Sequence, residues 1–418
     1  DCFDTPFLAP FGSTCRACGE NVAKGDSQEV WKDKKSQIWV HEECYETDIG
    51  AKSVTSCLVC RNEIEIDDSI APWAETKNAL GKLLWVHEEC EGGKIAVDIP
   101  EKFRNFDPST YQSAIKEEYL ETDSHLIIDA KAGSGKTTTL EWLVYTTHSH
   151  PSKNILMMAF NKSIANELNG RMSHIPRVAA STLNSFGNSL VGKAYKWPKK
   201  LDAKKISILA QVQFPFKKKD QDKINLVGHA FDERVDRNRK IVDCLQKIID
   251  KVKSNLATPD QYEEIISHYN IKNYHELDDE GQQLVLDTIP ELLEENIRVA
   301  EEFIDFNDQI FLPIISAYQK KTGEQVLSDT AMGLLKKVRF PRGKSQIDVL
   351  FVDESQDLNR CQQELALLAI GDKGRLICVG DPKQSIYAFS GADSSSMDRM
   401  LHLLSETNRG CRKMDLSV

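Results

Sequence analysis

The chain has 418 residues, of which 40% are hydrophobic and 28% charged, and its formal net charge is −11 at pH 7. This composition is ordinary for a globular protein of two or three domains, and no apolar run approaches the roughly 20 residues of a membrane-spanning helix. The acidic balance argues against a uniformly basic nucleic-acid-binding protein, and the first residues lack the basic and apolar parts of a secretory signal.

A pattern of cysteine and histidine occurs twice in the first 100 residues. Each copy has a Cys-x-x-Cys pair and the string Trp-Val-His-Glu-Glu-Cys, with 22 or 26 residues between the second Cys and the His. Three thiolates and one imidazole form a complete tetrahedral ligand set for a structural Zn²⁺, and repetition of the whole string argues against chance pairs or a disulfide framework. We therefore predict two zinc sites, with the ligands Cys15, Cys18, His41 and Cys44 in one and Cys57, Cys60, His87 and Cys90 in the other.

The two predicted zinc modules, residues 1–50 and 51–100, contain 10 Lys and Arg residues against 19 Asp and Glu residues. Their pattern resembles treble-clef fingers, and its Trp-x-His-x-x-Cys end resembles the fingers of poly(ADP-ribose) polymerases, which bind broken DNA. Because phosphates repel an acidic surface, protein docking or a structural role is favoured, and DNA-end binding is the alternative. The other five cysteines are interpreted as reduced thiols of an intracellular protein.

A glycine-rich loop follows the next predicted strand, Leu126 to Asp129. Its glycines allow the backbone to curl so that N–H groups point at phosphate oxygens, and the helix that follows directs its positive dipole end at the same point. Lys136 would reach the β- and γ-phosphates and Thr137 would bind Mg²⁺. We therefore predict ATP and Mg²⁺ as cofactors; a simple turn before a helix is the alternative. The predicted binding residues of the loop are Ala132, Gly133, Ser134, Gly135, Lys136, Thr137 and Thr138.

Residues 191–345 form a predicted helical region. Apolar residues at helical spacing predict one helix around Ile241 to Val252 and another near Leu284 to Ile304. Within this region, residues 193–223 contain ten Lys against three Asp and are interleaved with aromatic residues. The stripe is either a solvated lysine face or a track for a nucleic-acid backbone, which we slightly favour. The lysines proposed for that track are Lys217, Lys218 and Lys219.

The apolar strand Val349 to Val352 runs directly into Asp353 and Glu354. A carboxylate at this position is suited to hold Mg²⁺, and the next one is placed to polarise an attacking water. An acidic helix cap is the alternative. A third strand, Leu376 to Val379, precedes Gln384, whose neutral amide can sense the γ-phosphate. Two aromatic residues after it are either base-stacking platforms or core residues, and from their spacing alone core is favoured: Tyr387 and Phe389.

With these motifs in order, residues 106–418 closely resemble superfamily 1 helicases of the UvrD/Rep type. Residues 158–164 are especially similar to motif Ia of F-box-containing helicases and some viral relatives. The segments that carry the resemblance are 106–115 (Q motif), 130–137 (motif I), 158–164 (Ia), 181–186 (Ib), 353–357 (II), 379–392 (III) and 404–409 (start of IV). Three residues depart from the usual pattern: Lys131 replaces Gly, Asn184 replaces His and Ser390 replaces Arg.

The resemblance implies roles for individual residues. Gln112 would read adenine, and Arg409 would contact the γ-phosphate from a facing lobe. Single-stranded DNA would be contacted by Phe160, Asn161, Thr182, Asn184, Tyr387 and Phe389. The implied fold is an α/β RecA-like P-loop NTPase lobe, a parallel sheet flanked by helices, with a helical insert. The expected boundaries are 101–190 and 346–403 for the lobe, 191–345 for the insert and 404–418 for the start of a second lobe.

The resulting functional prediction is an ATP-dependent DNA helicase or translocase, with 3′ to 5′ polarity and a role in DNA repair, recombination or replication. Its expected partner is single-stranded or tailed duplex DNA. The family's later motifs have no counterpart in this sequence, so we expect a weakly active fragment without a second motor lobe. Alternatively, a second polypeptide completes the motor, or the protein is a degenerate ATPase. The alternative function is a zinc-finger interaction or DNA-sensing protein that uses ATP binding as a switch.

Overall fold

The computed structural model describes residues 99–417 apart from 148–152, 173–174, 176, 199, 217–228, 344–345 and 385–395. Of residues 1–98 it describes the backbone of nine short strands. The chain divides into two units, one formed by residues 1–76 and 83–96, the other by residues 77–82 and 97–418. This division lies close to the predicted end of the zinc modules at residue 100.

The first unit contains short strands that pair as β1-β4-β5, β2-β3, β6-β7 and β8-β9. The strands are β1 (Phe3–Phe7), β2 (Ser13–Thr14), β3 (Asn21–Val22), β4 (Val30–Asp33), β5 (Trp39–His41), β6 (Ser53–Ser56), β7 (Glu63–Ile66), β8 (Thr76–Lys77) and β9 (Leu83–Leu84). The side chains of all eight predicted zinc ligands lie outside the described residues. The two zinc sites therefore stay a prediction.

The second unit is built on a six-stranded parallel sheet with the order β12-β11-β15-β16-β10-β17. Its strands are β10 (His125–Ala130), β11 (Ile155–Ala159), β12 (Val178–Thr182), β15 (Val349–Val352), β16 (Arg375–Gly380) and β17 (Cys411–Leu416). A two-stranded parallel pair, β13 (Lys200–Leu201) and β14 (Phe303–Ile304), lies in the helical region. The parallel sheet flanked by helices confirms the predicted α/β class.

Helices cover both faces of the sheet and form the insert. They are α1 (Glu101–Arg104), α2 (Thr110–Glu121), α3 (Lys136–Thr147), α4 (Lys162–Met172), α5 (Leu183–Ala194), α6 (Lys205–Gln213), α7 (His229–Asn255), α8 (Tyr262–His268), α9 (Lys272–His275), α10 (Asp279–Arg298), α11 (Asp308–Thr322), α12 (Asp329–Leu334), α13 (Arg360–Ile370) and α14 (Ser396–Ser405). In the described residues no helix is long and apolar enough to cross a membrane.

The sheet separates two hydrophobic clusters, as the alternation of side chains along a strand requires. On β10, Ile127 belongs to one cluster, whereas Leu126 and Ile128 belong to the other. Both faces of the strand are buried, which explains its continuous apolar sequence. The cluster around Ile127 continues into the insert, where α7 buries the five predicted core residues of its apolar stripe: Ile241, Leu245, Ile248, Ile249 and Val252.

The structure corrects two predicted boundaries. The helix expected to reach Ile304 ends at Arg298, and Ile304 instead pairs with Leu201 in the β13–β14 ladder. Residues 404–418 do not begin a second lobe, because Cys411–Leu416 forms β17 and pairs with all six residues of β10. Leu416 is fully buried in the same core as β10, so this segment completes the sheet of the first lobe.

Candidate nucleotide site and nucleic-acid interface

All six strands run in the same direction, so their carboxyl ends meet at one edge of the sheet. Four predicted site segments begin there: the glycine-rich loop after β10, Phe160 after β11, Asp353 after β15 and the Gln384 segment after β16. Ligand sites of open parallel sheets are found at this edge. The topology therefore brings together motifs that are separated by more than 200 residues in the chain.

The glycine-rich loop has the left-handed backbone that its glycines predict, with φ of 75° at Gly133 and 77° at Gly135. The Ser134 amide donates to the Lys131 carbonyl at 3.1 Å, which closes the turn. The buried Ser134 hydroxyl has no hydrogen-bond partner among the described residues. A loop of exposed amides with an unpartnered hydroxyl, placed before a 12-residue helix, is suited to bind phosphate.

Two contacts join the loop to the acidic strand end. Lys136 Nζ lies 2.6 Å from Glu354 Oε2, and Thr137 Oγ1 donates to Asp353 Oδ2 at 2.8 Å. The Lys136 and Glu354 side chains are 13% and 33% exposed, so their ion pair lies in a partly desolvated cleft. The predicted phosphate-binding lysine, metal-binding hydroxyl and two carboxylates thus occupy one site.

The residues present fit a hard divalent cation. The Thr137 hydroxyl and the Asp353 carboxylate present oxygen ligands within hydrogen-bond distance of each other, and Mg²⁺ prefers oxygen ligands. Burial raises the pKa of Asp353, against the lowering effect of its hydrogen bond from Thr137, and the neighbouring Glu354 charge raises it further. A buried carboxylate with a raised pKa is stabilised by a bound cation.

Glu354 sits in a left-handed backbone conformation with φ of 51°, which is uncommon for a non-glycine residue. Strained residues of this kind are concentrated at functional sites. The conformation follows the end of β15 immediately, so the carboxylate reaches Lys136 while Asp353 reaches Thr137. The Glu354 amide donates to Asp353 Oδ1 at 2.9 Å, which ties the two carboxylates to one turn.

Gln356 links this turn to the third motif, a role that was not predicted from the sequence although the residue lies inside the acidic segment. Its Nε2 donates to Glu354 Oε2 at 2.9 Å, and its Oε1 accepts from the Asp381 amide at 3.0 Å. Asp381 Oδ2 in turn accepts from Gln384 Nε2 at 2.6 Å. Gln384, the predicted γ-phosphate sensor, is therefore connected to Glu354 by a continuous hydrogen-bond chain.

Gly380 permits this connection. A Cβ atom at residue 380 would lie 2.4 Å from Gln356 Oε1 and 3.0 Å from the Gln356 backbone nitrogen. The close approach of these two segments requires a residue without a side chain at the end of β16.

Gln112, the predicted adenine reader, lies beside the loop but uses its amide within the protein. Its Oε1 accepts from the Ser109 amide at 2.9 Å in a capping box, and its Nε2 donates to Thr139 Oγ1 at 3.0 Å. Ala132 is exposed in the loop, and Thr138 is half-buried in the first turn of α3. An adenine contact by Gln112 stays a prediction.

Arg409, which the resemblance placed at the γ-phosphate, lies at the opposite edge of the sheet. Its guanidinium donates to the main-chain carbonyls of Asp123 at 3.1 Å and Lys373 at 2.9 Å, which precede β10 and β16. The phosphate loop begins after the six residues of β10, and about 3.3 Å per residue separates the two edges by roughly 20 Å. The prediction of Arg409 as a catalytic residue of this site is therefore wrong.

The predicted nucleic-acid residues of motifs Ia and Ib surround a small cavity of about 40 Å³ at the ends of β11 and β12. Phe160 is 42% exposed there. Asn161 Oδ1 caps α4 by accepting from the Ile164 amide at 2.9 Å, and Thr182 Oγ1 caps α5 by accepting from the Ser185 amide at 3.1 Å. Asp353 and Asp357 also line this cavity, so the acidic turn lies between it and the nucleotide site.

Asn184 has a structural contact that identifies a further candidate residue. Its Nδ2 donates to the Phe306 carbonyl at 2.9 Å and to Gln309 Oε1 at 3.0 Å. Phe306 is 53% exposed, an unusual environment for a phenylalanine in a well-packed insert. Phe306 was not predicted from the sequence as a site residue; the polar residues Asp305, Asn307 and Asp308 around it were the available signal of a turn.

A buried ionic network holds the turn that presents Phe306. Lys253 Nζ donates to Asp305 at 2.7 Å and to Asp308 at 2.8 Å, and Lys205 Nζ donates to Asp308 at 2.7 Å. All four side chains are at most 3% exposed. Burial would raise the pKa of Asp308, but Lys253 and Lys205 hold it below its usual range. The two positive and two negative charges compensate one another.

The lysine-rich stripe is only partly exposed. Lys205 is fully buried in the ionic network, and Tyr195 is a core residue that is 1% exposed. Lys217, Lys218 and Lys219 lie outside the described residues, as do Tyr387 and Phe389. The predicted roles of these five residues on nucleic acid are not tested by the structure.

Comparison with known proteins agrees with this geometry. Residues 111–404 match the family model described as the UvrD/REP helicase N-terminal domain. The chain is 27% identical over 287 residues to F-box DNA helicase 1 from Gallus gallus, which covers 67% of this chain and 24% of that protein. It is 24% identical over 285 residues to ATP-dependent DNA helicase Rep from Buchnera aphidicola, covering 66% of this chain and 38% of Rep.

A third relative is ATP-dependent DNA helicase PcrA from Staphylococcus epidermidis, which is 25% identical over 285 residues, covering 65% of this chain and 33% of PcrA. The chain thus spans between about a quarter and two fifths of the length of these relatives. The family match covers more than half of the chain and includes all the motifs joined at the sheet edge. The chain belongs to the UvrD/REP helicase N-terminal domain family.

Proposed function

We propose that this chain is the nucleotide-binding lobe of an ATP-dependent DNA helicase or translocase. The observation that carries the proposal is the pair of contacts from Lys136 to Glu354 and from Thr137 to Asp353. They place a phosphate-binding loop against two carboxylates, the arrangement that phosphoryl transfer to water requires. The names of the matched relatives support the same activity.

Each residue of the site has a distinct proposed task. Bound Mg²⁺·ATP supplies the γ-phosphoryl group and a counter-charge for it. Lys136 exchanges Glu354 for phosphate oxygens, and Thr137 and Asp353 provide oxygen ligands for the cation. Glu354, released from Lys136, accepts a proton from the attacking water. Gln384 reports the state of the site through Asp381 and Gln356.

The proposed path for single-stranded DNA runs along the same sheet edge, over the exposed rings of Phe160 and Phe306. Aromatic rings bind successive bases by stacking with little dependence on sequence. The acidic turn that contains Glu354 also contributes Asp357 to the cavity beside Phe160. This shared turn offers a short physical route by which nucleotide state alters the grip on DNA.

The decisive experiment measures ATP hydrolysis with and without single-stranded DNA, in wild type and in Lys136→Ala. We expect DNA to stimulate hydrolysis and the substitution to abolish it. Unwinding of DNA and RNA duplexes with 3′ or 5′ tails then tests the proposed substrate and the 3′ to 5′ polarity. ATP binding without any DNA stimulation would instead favour a switch that does not unwind.

A second lobe is part of this proposal, because the matched relatives are longer than this chain. Closure of a facing lobe with an arginine finger accelerates phosphoryl transfer by about 10³–10⁵-fold. We therefore infer slow hydrolysis by this chain alone. Adding the remainder of a longer coding sequence, or a second polypeptide, should raise the rate by that order.

Two structural zinc ions in the first 100 residues are proposed from the repeated ligand pattern. Metal analysis of the purified chain should give two zinc ions, and His41→Ala with His87→Ala should reduce that number. If the zinc modules bind DNA ends, the same double variant weakens DNA affinity. Unchanged affinity would leave protein docking or a structural role.

A further inference from the structure

A groove lies on the insert between α8, α10 and the segment 325–328. Two adjoining cavities of about 500 and 490 Å³ share the walls Pro259, Asp260, Tyr262 and Pro290. These volumes are in the range of binding pockets rather than packing defects. A capping box between Thr258 and Gln261 fixes the turn at one end of the groove.

One polar group of the groove lacks a partner. Tyr262 is 3% exposed, and its hydroxyl has no hydrogen-bond partner among the described residues. A buried hydroxyl without a partner is destabilising, because its desolvation is not compensated. Burial raises the pKa of Tyr262, so the hydroxyl keeps its proton and can donate as well as accept. Its lack of a partner points to a ligand that supplies one.

Other hydrogen-bond acceptors line the same groove. Asp260, Glu263 and Asp287 are exposed and form no ion pair in the described part of the chain. Pro290 lies inside α10 and has no N–H, so the Leu286 carbonyl lacks its usual helical donor. No lysine, arginine or histidine is among the described lining residues of either cavity.

We propose that this groove binds an arginine-bearing segment of a partner protein. A guanidinium presents five N–H donors in a plane and matches several converging carboxylate and carbonyl acceptors, and the apolar walls accommodate its stem. The carboxylates disfavour a nucleic-acid backbone, so this face of the insert is distinct from the proposed DNA path. The inference goes beyond the proposed motor function and does not depend on ATP hydrolysis.

The test uses the full chain and a hexa-arginine peptide that carries fluorescein and a benzophenone cross-linker. The groove variant combines Asp260→Asn with Asp287→Asn. The control variant combines Glu264→Gln with Glu291→Gln, two exposed acidic residues of α8 and α10 that do not line the groove. Because both variants lose two negative charges, their long-range attraction for the peptide is matched.

We expect saturable binding by the wild type, with cross-links in residues 258–263, 283–293 or 325–328. The groove variant should bind at least tenfold more weakly and lose these cross-links, whereas the control variant should stay within about twofold of the wild type. Equal weakening in both variants, cross-links confined to other segments, or no saturable binding would overturn the proposal.

Two further measurements guard against a misfolded variant and a different ligand. Tyr262→Phe should weaken peptide binding several-fold while leaving the melting temperature unchanged or higher, because it removes an unsatisfied hydroxyl. A lower melting temperature with unchanged peptide affinity would overturn the role of the hydroxyl. Affinity for a deoxythymidine oligonucleotide should be the same in the groove and control variants; a selective change in the groove variant would identify a DNA site instead.

Discussion

Glu354→Gln should change nucleotide binding and hydrolysis in opposite directions. The substitution keeps the size of the side chain but removes its negative charge. In the structure Glu354 Oε2 lies 2.6 Å from Lys136 Nζ and also accepts from Gln356 Nε2 at 2.9 Å. ATP must break the first of these contacts before its phosphates can take Lys136.

The magnitude follows from the exposure of the pair. Ion pairs that are partly open to solvent are worth about 0.2–1 kcal/mol, so releasing Lys136 should tighten ATP binding by up to about fivefold. Hydrolysis should fall, because a positioned general base contributes about 10²–10⁴-fold to the rate. Lys136→Ala, in contrast, should weaken ATP binding and abolish hydrolysis.

A fluorescent ATP analogue measures the binding constant, and phosphate release at saturating single-stranded DNA measures the rate. Glu264→Gln, an exposed glutamate of the insert, is the charge-matched control and should behave as the wild type. Weaker ATP binding by Glu354→Gln would refute the view that Lys136 exchanges one anionic partner for another. Hydrolysis at the wild-type rate would refute the assignment of Glu354 as the base.

Burial and exposure set the expected outcome of three more experiments. Because burial raises the pKa of Asp353, Mg²⁺-dependent ATP affinity should fall as pH decreases from about 7.5 towards 5, and titration calorimetry of Asp353→Asn should lack this dependence. Phe160→Ala or Phe306→Ala should each weaken single-stranded DNA binding by about 1–3 kcal/mol in fluorescence anisotropy, with ATP affinity unchanged. Lys253→Met should lower the free energy of unfolding by about 3–5 kcal/mol in urea titrations, whereas the exposed Lys247→Met should change it by less than about 0.5 kcal/mol.

The buried network around Lys253 shows where sequence patterns are insufficient. A lysine is usually exposed, and the composition of residues 193–223 predicts one charged surface. Lys205 of that stripe is instead fully buried against Asp308, 103 residues away in the chain. Its partner is supplied by tertiary packing, so composition alone could not distinguish Lys205 from its exposed neighbours.

Arg409 illustrates the opposite error, in which a motif is identified without its strand. Residue type and approximate order suggest a contact with the γ-phosphate. The position of β17 in the sheet places Arg409 before the strand begins, at the amino edge, whereas phosphate is bound at the carboxyl edge. The pairing partner of a strand is a long-range property, and a short motif does not contain it.

The local elements of the nucleotide site follow from the amino-acid sequence alone. A strand, a glycine-rich turn and a helix around Lys136, and a strand ending in Asp353 and Glu354, depend on nearby residues whose backbone preferences are short-ranged. Which of these elements meet is a property of the folded chain. Lys136 and Glu354 are 218 residues apart. They form one site because β16 is inserted between β10 and β15 in a parallel sheet, an arrangement set by burial of both sheet faces rather than by the motifs themselves.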